Sequence, residues 1–178
     1  AATKPFGYMP FYPGPGLGGH CIPIDPFYLT WKAREYEQHT RFIELAGEIN
    51  TVMPDYVVAR VGEALNEESK SLKGSKILLL GMAYKPNVDD DRESPSYVLT
   101  KKLESKGAVV HYNDPYVPVI RPTREHPEYA GRKSVEVEDA YDCILVATHH
   151  DEYREFDFSN YQAVMVDTRN CIANKPIK

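Results

Sequence analysis

Residues 76–81, with the sequence Lys-Ile-Leu-Leu-Leu-Gly, form a continuous apolar run about as long as one β-strand. A strand without alternating polar positions is expected where both faces of a sheet are covered, as in a parallel sheet between helices. Three further short apolar segments follow at residues 109–112, 142–147 and 163–166. Because helical segments alternate with these strands, the sequence predicts an α/β fold with a parallel sheet and right-handed crossovers.

Helix signals surround the predicted sheet. Ser94 and Pro95 form an N-cap followed by proline at the first helical position, and Gly107 is a typical helix stop, which predicts a helix between the first two strands. A longer amphipathic helix is predicted from about Thr40 to Asn66, and Pro54 is expected to kink it. Its apolar stripe needs a partner, for which its own domain and a second copy of the chain both remain open.

The beginning of the chain is irregular and rich in glycine and proline. Residues 14–21 have the sequence Gly-Pro-Gly-Leu-Gly-Gly-His-Cys, and so much glycine indicates a loop shaped for close approach to a ligand rather than for packing. Cys21 at the end of this glycine loop is a candidate nucleophile. Asp25 and Pro26 predict an N-cap and a first helical position for a short helix from Phe27 to about Glu37.

The glycine spacing also matches a dinucleotide-binding fingerprint, which would place Gly14, Gly16 and Gly19 between a strand and a helix. Prolines upstream argue against a central strand, and Pro23 and Pro26 are expected to postpone any helix. A P-loop is disfavoured because no Gly-Lys-Ser/Thr follows. We therefore interpret the stretch as a loop that presents Cys21 and not as a nucleotide fold.

Composition narrows the possible functions. With 178 residues, of which 42% are hydrophobic, the chain can bury one core and carry a helical appendage. A net charge of -5 offers no basic footprint for nucleic acid or an anionic membrane.

The three cysteines follow neither disulfide-framework nor metal-site spacing. No signal peptide or long apolar run is present either, so a cytoplasmic location is predicted. Cys143, in an apolar strand, is expected in the core, and Cys171 is expected to pack.

Two polar clusters could suggest a metal site. Residues 149–151 are His-His-Asp, but adjacent histidines rarely converge on one ion and no third ligand stands at a recognisable spacing. Residues 89–91 are three aspartates without the pattern of a calcium loop. We therefore predict no metal centre.

Residues 18–26, Gly-Gly-His-Cys-Ile-Pro-Ile-Asp-Pro, resemble the catalytic loop of the nucleotide-sugar 6-dehydrogenases, in the UDP-glucose/GDP-mannose dehydrogenase family. This version of the loop is most similar to that of the UDP-N-acetylglucosamine 6-dehydrogenases. The resemblance implies oxidation of a sugar C6 alcohol to a carboxylate by two NAD+, through a cysteine thiohemiacetal and thioester. It covers only the C-terminal part of such an enzyme, so the N-terminal NAD-binding domain is expected upstream of residue 1.

The resemblance also implies roles for single residues. Cys21 would be the covalent catalyst, and Asp25 would handle the hydrolytic water. Residues 82–94, after the first strand, provide a second match to the family, in which Arg92 reaches NAD; an ion pair with a neighbouring carboxylate is the alternative for Arg92. The residues expected to contact the UDP-sugar are Lys4, which would cross to another subunit's sugar, Tyr12, Gly14, Gly16, Gly18, Tyr84, Lys85 and Arg169.

Two functional hypotheses from different classes follow. In both, residues 1–72 hold the catalytic loop and a central dimerisation helix, and residues 73–178 form a Rossmann-like UDP-sugar-binding domain. The first hypothesis is the catalytic C-terminal portion of a homodimeric UDP-sugar 6-dehydrogenase, with UDP-N-acetylglucosamine as the favoured substrate. The second is a UDP-sugar-binding and oligomerisation module without activity of its own. A cysteine hydrolase or redox switch is disfavoured because only the adjacent His20 could serve as base.

Overall fold

The computed structural model describes residues 2–8 and 10–174, so residues 1 and 9 of the predicted first domain and residues 175–178 of the second lie outside it. The helices and strands of the described residues are α1 (Cys21–Arg34), α2 (Arg41–Glu67), β1 (Lys76–Leu80), α3 (Pro95–Ser105), β2 (Val109–Asn113), β3 (Cys143–Val146), α4 (Asp151–Glu155) and β4 (Val164–Asp167). A 3-10 turn covers Pro127–Tyr129. Among these residues, no helix is long and apolar enough to span a bilayer.

The four strands form one parallel sheet in the order β2-β1-β3-β4, which confirms the predicted architecture. Successive side chains of β1 point into two separate apolar layers. Ile77 and Leu79 pack in the layer that also contains buried residues of α2 and α3. Leu78 and Leu80 pack in the opposite layer, with Tyr153 among their neighbours. Both faces of the sheet are covered, and this explains why β1 has no polar alternation.

The crossover from β1 to β2 follows the prediction, whereas the next connection does not. The Ser94 hydroxyl accepts a hydrogen bond from the Ser96 N–H at the start of α3, with Pro95 as the first helical residue. Between β2 and β3, residues 114–142 contain no α-helix, and four prolines in this segment disfavour one. Because β2 and β3 lie on opposite sides of β1, the strand order reverses there, where a parallel sheet opens a ligand crevice.

The predicted start of α1 was wrong. The helix begins at Cys21 and not at Phe27, its N-cap is His20, and Asp25 lies inside it instead of capping it. Pro23 is tolerated as the third helical residue because the first N–H groups of a helix have no intrahelical acceptor. Pro26 is also inside the helix, at the expense of one backbone hydrogen bond. One half of the dinucleotide fingerprint, a helix after the glycines, is therefore present, but no strand is described in residues 10–20.

Helix α2 matches the predicted long helix and runs through the buried Pro54 as one element. Its C-terminal half packs on the sheet, where Val57, Val61 and Leu65 are buried. The N-terminal half leaves a row of large apolar side chains exposed, namely Phe42, Leu45, Ile49, Val52 and Tyr56. The sheet domain therefore covers only part of this helix.

Candidate functional site

The glycine loop lies against the segment that follows β1. The Gly19 N–H donates a hydrogen bond to the Arg92 carbonyl oxygen over 3.2 Å, and Gly19 is buried. A Cβ atom at Gly18 would lie 2.7 Å from the Cβ of Tyr84 and 2.9 Å from the Glu93 carbonyl oxygen. Gly16 lies next to Pro95, the first residue of α3. Any larger residue at Gly18 would push the loop away from Tyr84, so glycine is needed there for close approach.

Arg169 follows β4 and approaches the start of the same loop. Its Nε donates a hydrogen bond of 2.8 Å to the Ala147 carbonyl oxygen, which directs the rest of the guanidinium towards Gly14. A Cβ atom at Gly14 would overlap the guanidinium. Burial lowers the pKa of Arg169, and no ion pair engages its guanidinium in the part of the chain that the structure describes. A half-buried arginine with terminal N–H groups left over is suited to an anionic ligand.

Cys21 and Asp25 lie together on the first turns of α1. Cys21 is the first helical residue and is exposed, so its thiol is accessible. Asp25 is exposed too, and residues four apart share one face of a helix. The structure therefore places an accessible thiol and a carboxylate on the same side of the helix.

Arg92 forms the ion pair that was the alternative to its role with NAD. Its Nε and Nη2 donate to the two carboxylate oxygens of Asp90 over 2.8 and 2.6 Å, while Nη1 lies 3.2 Å from Nε2 of His20. The hydrogen bond from the Arg92 side chain lowers the pKa of Asp90 to about 2. The guanidinium is largely exposed and borders a cavity of about 550 Å³, so its contact with NAD stays a prediction. His20 faces Arg92, which gives no support to a cysteine–histidine pair.

The other predicted substrate residues fall into two groups. Tyr84 is half-buried against the glycine loop, and the Lys85 ammonium lies 5.4 Å from the centre of the Tyr84 ring. Lys4 and Tyr12 are exposed in the irregular segment before the loop and are not gathered into this cluster. The structure therefore unites Tyr84, Lys85 and Arg169 with the glycine loop and leaves Lys4 and Tyr12 apart.

Sequence reasoning missed a buried polar cluster at the carboxyl edge of the sheet. His150 follows β3 and is fully buried, with Nε2 3.1 Å from Oδ2 of Asp114 and Nδ1 accepting the Asn87 N–H over 2.9 Å. Burial alone would raise the pKa of Asp114, but the hydrogen bonds from His150 and backbone N–H groups lower it overall. One signal in the sequence could have found this cluster. His150 follows β3, next to the point where the strand order reverses and a ligand crevice is expected. In residues 2–8 and 10–174, no group of three or more potential ligands is arranged for a metal ion.

The other two cysteines are packed, as expected. Cys143 is fully buried in β3, and burial raises the pKa of its thiol to about 12. Cys171 is half-buried after β4, and burial raises its pKa to about 12 as well. All three cysteines are free thiols, and Cys21 is the exposed one.

Comparison with known proteins gives two family matches. Residues 78–174 match the UDP-binding domain of the UDP-glucose/GDP-mannose dehydrogenase family, and residues 1–52 match the central domain of the same family. A UDP-N-acetyl-D-mannosamine dehydrogenase of Methanococcus maripaludis is 36% identical over 160 residues, which cover 90% of this chain and 34% of the relative. A UDP-N-acetyl-D-glucosamine 6-dehydrogenase of Pseudomonas aeruginosa is 32% identical over 161 residues, covering 90% and 37%.

The solved structures agree with these matches. A structure described as the UDP-D-ManNAc dehydrogenase of Pyrococcus horikoshii superposes with a TM-score of 0.77 at 28% identity, covering 99% of this chain and 40% of the other. The chain thus spans about a third of the length of the curated relatives it matches. The predicted resemblance is confirmed at the level of the family. The relatives are named for different sugars, N-acetylmannosamine in one case and N-acetylglucosamine in the other.

Proposed function

The chain belongs to the UDP-glucose/GDP-mannose dehydrogenase family, and we propose that it is the C-terminal portion of an enzyme that oxidises the C6 alcohol of a UDP-sugar to a carboxylate with two NAD+. The position of Cys21 carries this proposal. The glycine loop that presents the exposed thiol also contacts Tyr84 and Arg169 at the carboxyl edge of the sheet. A nucleotide held at that edge would therefore have its sugar next to the thiol.

In the proposed mechanism, the substrate alcohol is first oxidised to an aldehyde. The Cys21 thiolate then adds to the aldehyde carbon, and the oxygen takes up a proton to give a thiohemiacetal. NAD+ supplies the oxidising power by accepting one hydride at each oxidation. Loss of the second hydride and of the hydroxyl proton leaves a thioester on Cys21. Asp25 accepts a proton from the water that attacks the thioester and returns it to the departing thiolate, which releases the acid and the free thiol.

This chain offers little that could hold NAD+ by itself. A dinucleotide fold needs a strand before its glycines, and none is described in residues 10–20. Arg92 could donate to an NAD phosphate, but its guanidinium now binds Asp90. In our proposal, NAD+ is therefore held mainly by an N-terminal domain outside this chain, and Arg92 reaches it across the junction. The lack of a complete NAD+ site in the described residues also favours the second hypothesis, a UDP-sugar-binding and oligomerisation module without activity of its own.

The substrate in our proposal is a UDP-N-acetylhexosamine. The sequence of the catalytic loop favours UDP-N-acetylglucosamine, and the relative from Pseudomonas aeruginosa carries that substrate in its name. UDP-N-acetylmannosamine is the second candidate, since the relative from Methanococcus maripaludis is named for it. Competition binding with these two nucleotides and UDP-glucose tests the choice. Equal affinity for UDP-glucose would contradict an N-acetyl requirement.

The exposed row of α2 supports self-association. Phe42, Leu45, Ile49, Val52 and Tyr56 alternate at spacings of three and four residues, as in the seam between two paired helices. We therefore propose a homodimer that uses this row, with Lys4 reaching the partner's sugar site.

The free thiols agree with the proposed cytoplasmic location. The division into residues 1–72 and 73–178 is part of the same proposal.

Calorimetry of this chain with UDP tests the nucleotide site. We expect binding, and Arg169→Ala should weaken it about tenfold to a hundredfold because a charge-assisted hydrogen bond is lost. Arg154→Ala is the control, since Arg154 is exposed on α4 and lies 3.9 Å from Asp151. Absence of heat with millimolar UDP would contradict the site in this chain. Equal weakening by both variants would contradict the role of Arg169.

A second experiment separates the two hypotheses. The full-length enzyme with this segment should form NADH when UDP-N-acetylglucosamine or UDP-N-acetylmannosamine is added with NAD+, whereas the chain alone should bind UDP without forming NADH. A full-length Asp25→Asn variant should accumulate the Cys21 thioester, detectable by mass spectrometry, if Asp25 serves the water step. A full-length enzyme that binds UDP-sugars without producing NADH would favour the module.

A further inference from the structure

The loops after three strands meet at the buried ring of His150. The loop after β2 provides Asp114, whose Oδ2 is 3.1 Å from Nε2 of His150. The loop after β1 provides Asn87, whose backbone N–H donates to Nδ1 over 2.9 Å. A backbone N–H can only donate, so Nδ1 must carry a lone pair and the proton must lie on Nε2. The contacts thus specify a neutral ring that donates to Asp114.

The Asp114 carboxylate is itself fixed by four backbone N–H groups. Its Oδ2 accepts the N–H groups of Met82 and Ala83 over 2.7 and 2.8 Å, and its Oδ1 accepts those of Tyr116 and Val117 over 2.8 and 3.0 Å. The carboxylate therefore ties the beginning of the loop after β1 to the loop after β2. The orientation of the His150 ring follows from this fixed acceptor.

Asn87 adds a second connection on the other side. Its Oδ1 accepts the Asp151 N–H over 3.0 Å, and its Nδ2 donates to Oδ2 of Asp151 over 2.7 Å. Asn87 has a φ of 60°, in the left-handed region, where asparagine is better tolerated than most residues. Together with the bond to His150, Asn87 joins the loop after β1 to the segment after β3 through three hydrogen bonds.

These contacts hold the segment with Tyr84 and Lys85 at both ends. Residues 82 and 83 are anchored on Asp114, and residue 87 is anchored on His150 and Asp151. Between the anchors, Tyr84 packs against Gly18 and Gly19 of the glycine loop. Loss of the His150 contact would remove one of the three hydrogen bonds that hold residue 87 and leave the two to Asp151. The lysine and tyrosine would then be held less firmly relative to the loop.

We propose that His150 is a positioning residue that acts through the Asn87 backbone to hold Tyr84 and Lys85 in place for the nucleotide sugar. This inference rests on the proposed function. The proposed role of His150 is in substrate affinity. It differs from metal binding and from general-base catalysis. Because the contact holds the segment with Tyr84 and Lys85 and does not involve Cys21, the chemical step itself should change less than binding.

Steady-state kinetics of the full-length enzyme test the role. His150→Leu removes the acceptor for Asn87, and KM for the UDP-sugar should rise about tenfold, while KM for NAD+ stays unchanged. His150→Asn keeps an oxygen near the position of Nδ1 and should recover most of the affinity. His111→Leu is the control, because His111 is exposed on β2 and its ring contacts Tyr141, and both of its KM values should stay at the wild-type level.

The outcomes separate the two proposals. A wild-type enzyme that forms no NADH with any UDP-sugar would overturn the proposed function and the role of His150 with it. An active wild type together with a folded His150→Leu variant whose KM is unchanged would overturn the role of His150 alone. A lower melting temperature with both KM values unchanged would do the same, because it would show a purely structural contact.

If His150→Leu does not fold, nitrogen NMR of histidine in the wild-type chain decides the geometry. We expect the neutral Nε2–H tautomer for His150 and a slowly exchanging Asn87 amide. A protonated ring, or the proton on Nδ1, would overturn the proposal because either state removes the acceptor that Asn87 needs. The His150→Asn variant then provides the kinetic test, in which a KM near that of the wild type is expected and a tenfold rise would contradict the positioning role.

Discussion

The helical region at residues 21–52 and the sheet domain at residues 75–174 bury their apolar side chains very differently. In the helical region, large apolar residues such as Phe27, Trp31 and Phe42 are exposed, with Phe42 at 89%. In the sheet domain, Tyr97, Tyr153 and Phe158 are fully or almost fully buried, each at 1% exposure or less. The sheet domain therefore has a buried core, which the C-terminal half of α2 completes, whereas the helical region presents surfaces that need partners.

The same contrast separates two cysteines. Cys21, at the start of α1, is exposed, and Cys143, in β3, has no exposed surface. A thiol can attack a substrate only if it is accessible and able to ionise. In our proposal, the chemistry takes place in the incompletely covered region and the sheet domain supports it.

The largest expected effect is the loss of catalysis in Cys21→Ser. In the full-length enzyme, this change should lower formation of the acid by at least about 10⁴-fold, because the hydroxyl is a poorer nucleophile near neutral pH. UDP-sugar binding should persist, because the proposed nucleotide contacts are Tyr84, Lys85 and Arg169 and not Cys21. Turnover measured by NADH formation, beside calorimetry with UDP, checks both statements.

Cys143→Ala is the control for the loss of a thiol. It should keep turnover at the wild-type level and lower the free energy of unfolding by about 1 kcal/mol, because it leaves a small gap in the core. Normal turnover in Cys21→Ser would contradict the catalytic assignment, and the glycine loop would then be only a turn before α1.

A smaller effect is expected for the reactivities of the same two thiols. In the native chain near pH 8, alkylation of Cys21 should be at least about a thousandfold faster than that of Cys143. Burial raises the pKa of Cys143 to about 12, so only about one thiol in ten thousand is ionised at that pH. Peptide mapping after timed iodoacetamide treatment measures both rates. Comparable rates in the folded protein would show that the sheet domain opens readily and is not the rigid part.

The next effect concerns the exposed row of α2. Val52→Glu should weaken self-association about a hundredfold, because a carboxylate would enter an apolar interface. Val109→Glu is the matched control, since Val109 is 47% exposed on β2 and Val52 is 56% exposed on α2. Sedimentation equilibrium measures both. If the two variants associate equally well, the α2 row is not the contact between copies.

The smallest effect concerns alkaline stability of the sheet domain. The pKa of Cys143 rises from 9.0 to about 12 in the folded protein because of burial. As pH increases above 9, the unfolded chain loses the thiol proton first, so the stability that is fully present below pH 9 is lost towards pH 12. The free energy of unfolding should fall by up to ~1.4 kcal/mol per pH unit from this group.

Urea titrations between pH 9 and pH 12 check the alkaline prediction. Wild-type stability should fall more steeply than that of Cys143→Ala, because the variant lacks the titrating thiol. Parallel curves for the two proteins would contradict a strongly shifted thiol in the core.

Residue patterns predicted the sheet domain well and the start of the helical region poorly. The strands lie within two residues of their predicted limits because a buried strand has to be apolar throughout. Pro23 and Pro26 predict a later start for α1 because proline breaks helix interiors, whereas the first turn tolerates Pro23. The alternation of strands and helical segments predicts crossovers in general, and it does not show that residues 114–142 connect β2 to β3 without an α-helix.

The sequence by itself determined the parallel sheet, the glycine loop and the thiol at its end, because these depend on local residue types: apolar runs, glycines and a cysteine. Only the tertiary structure decided which groups meet. It paired Arg169 with Gly14, Arg92 with Asp90, and His150 with Asp114 and Asn87. Residues 87, 114 and 150 are distant in the chain, and they converge because parallel strands bring the loops after their carboxyl ends to one edge of the sheet.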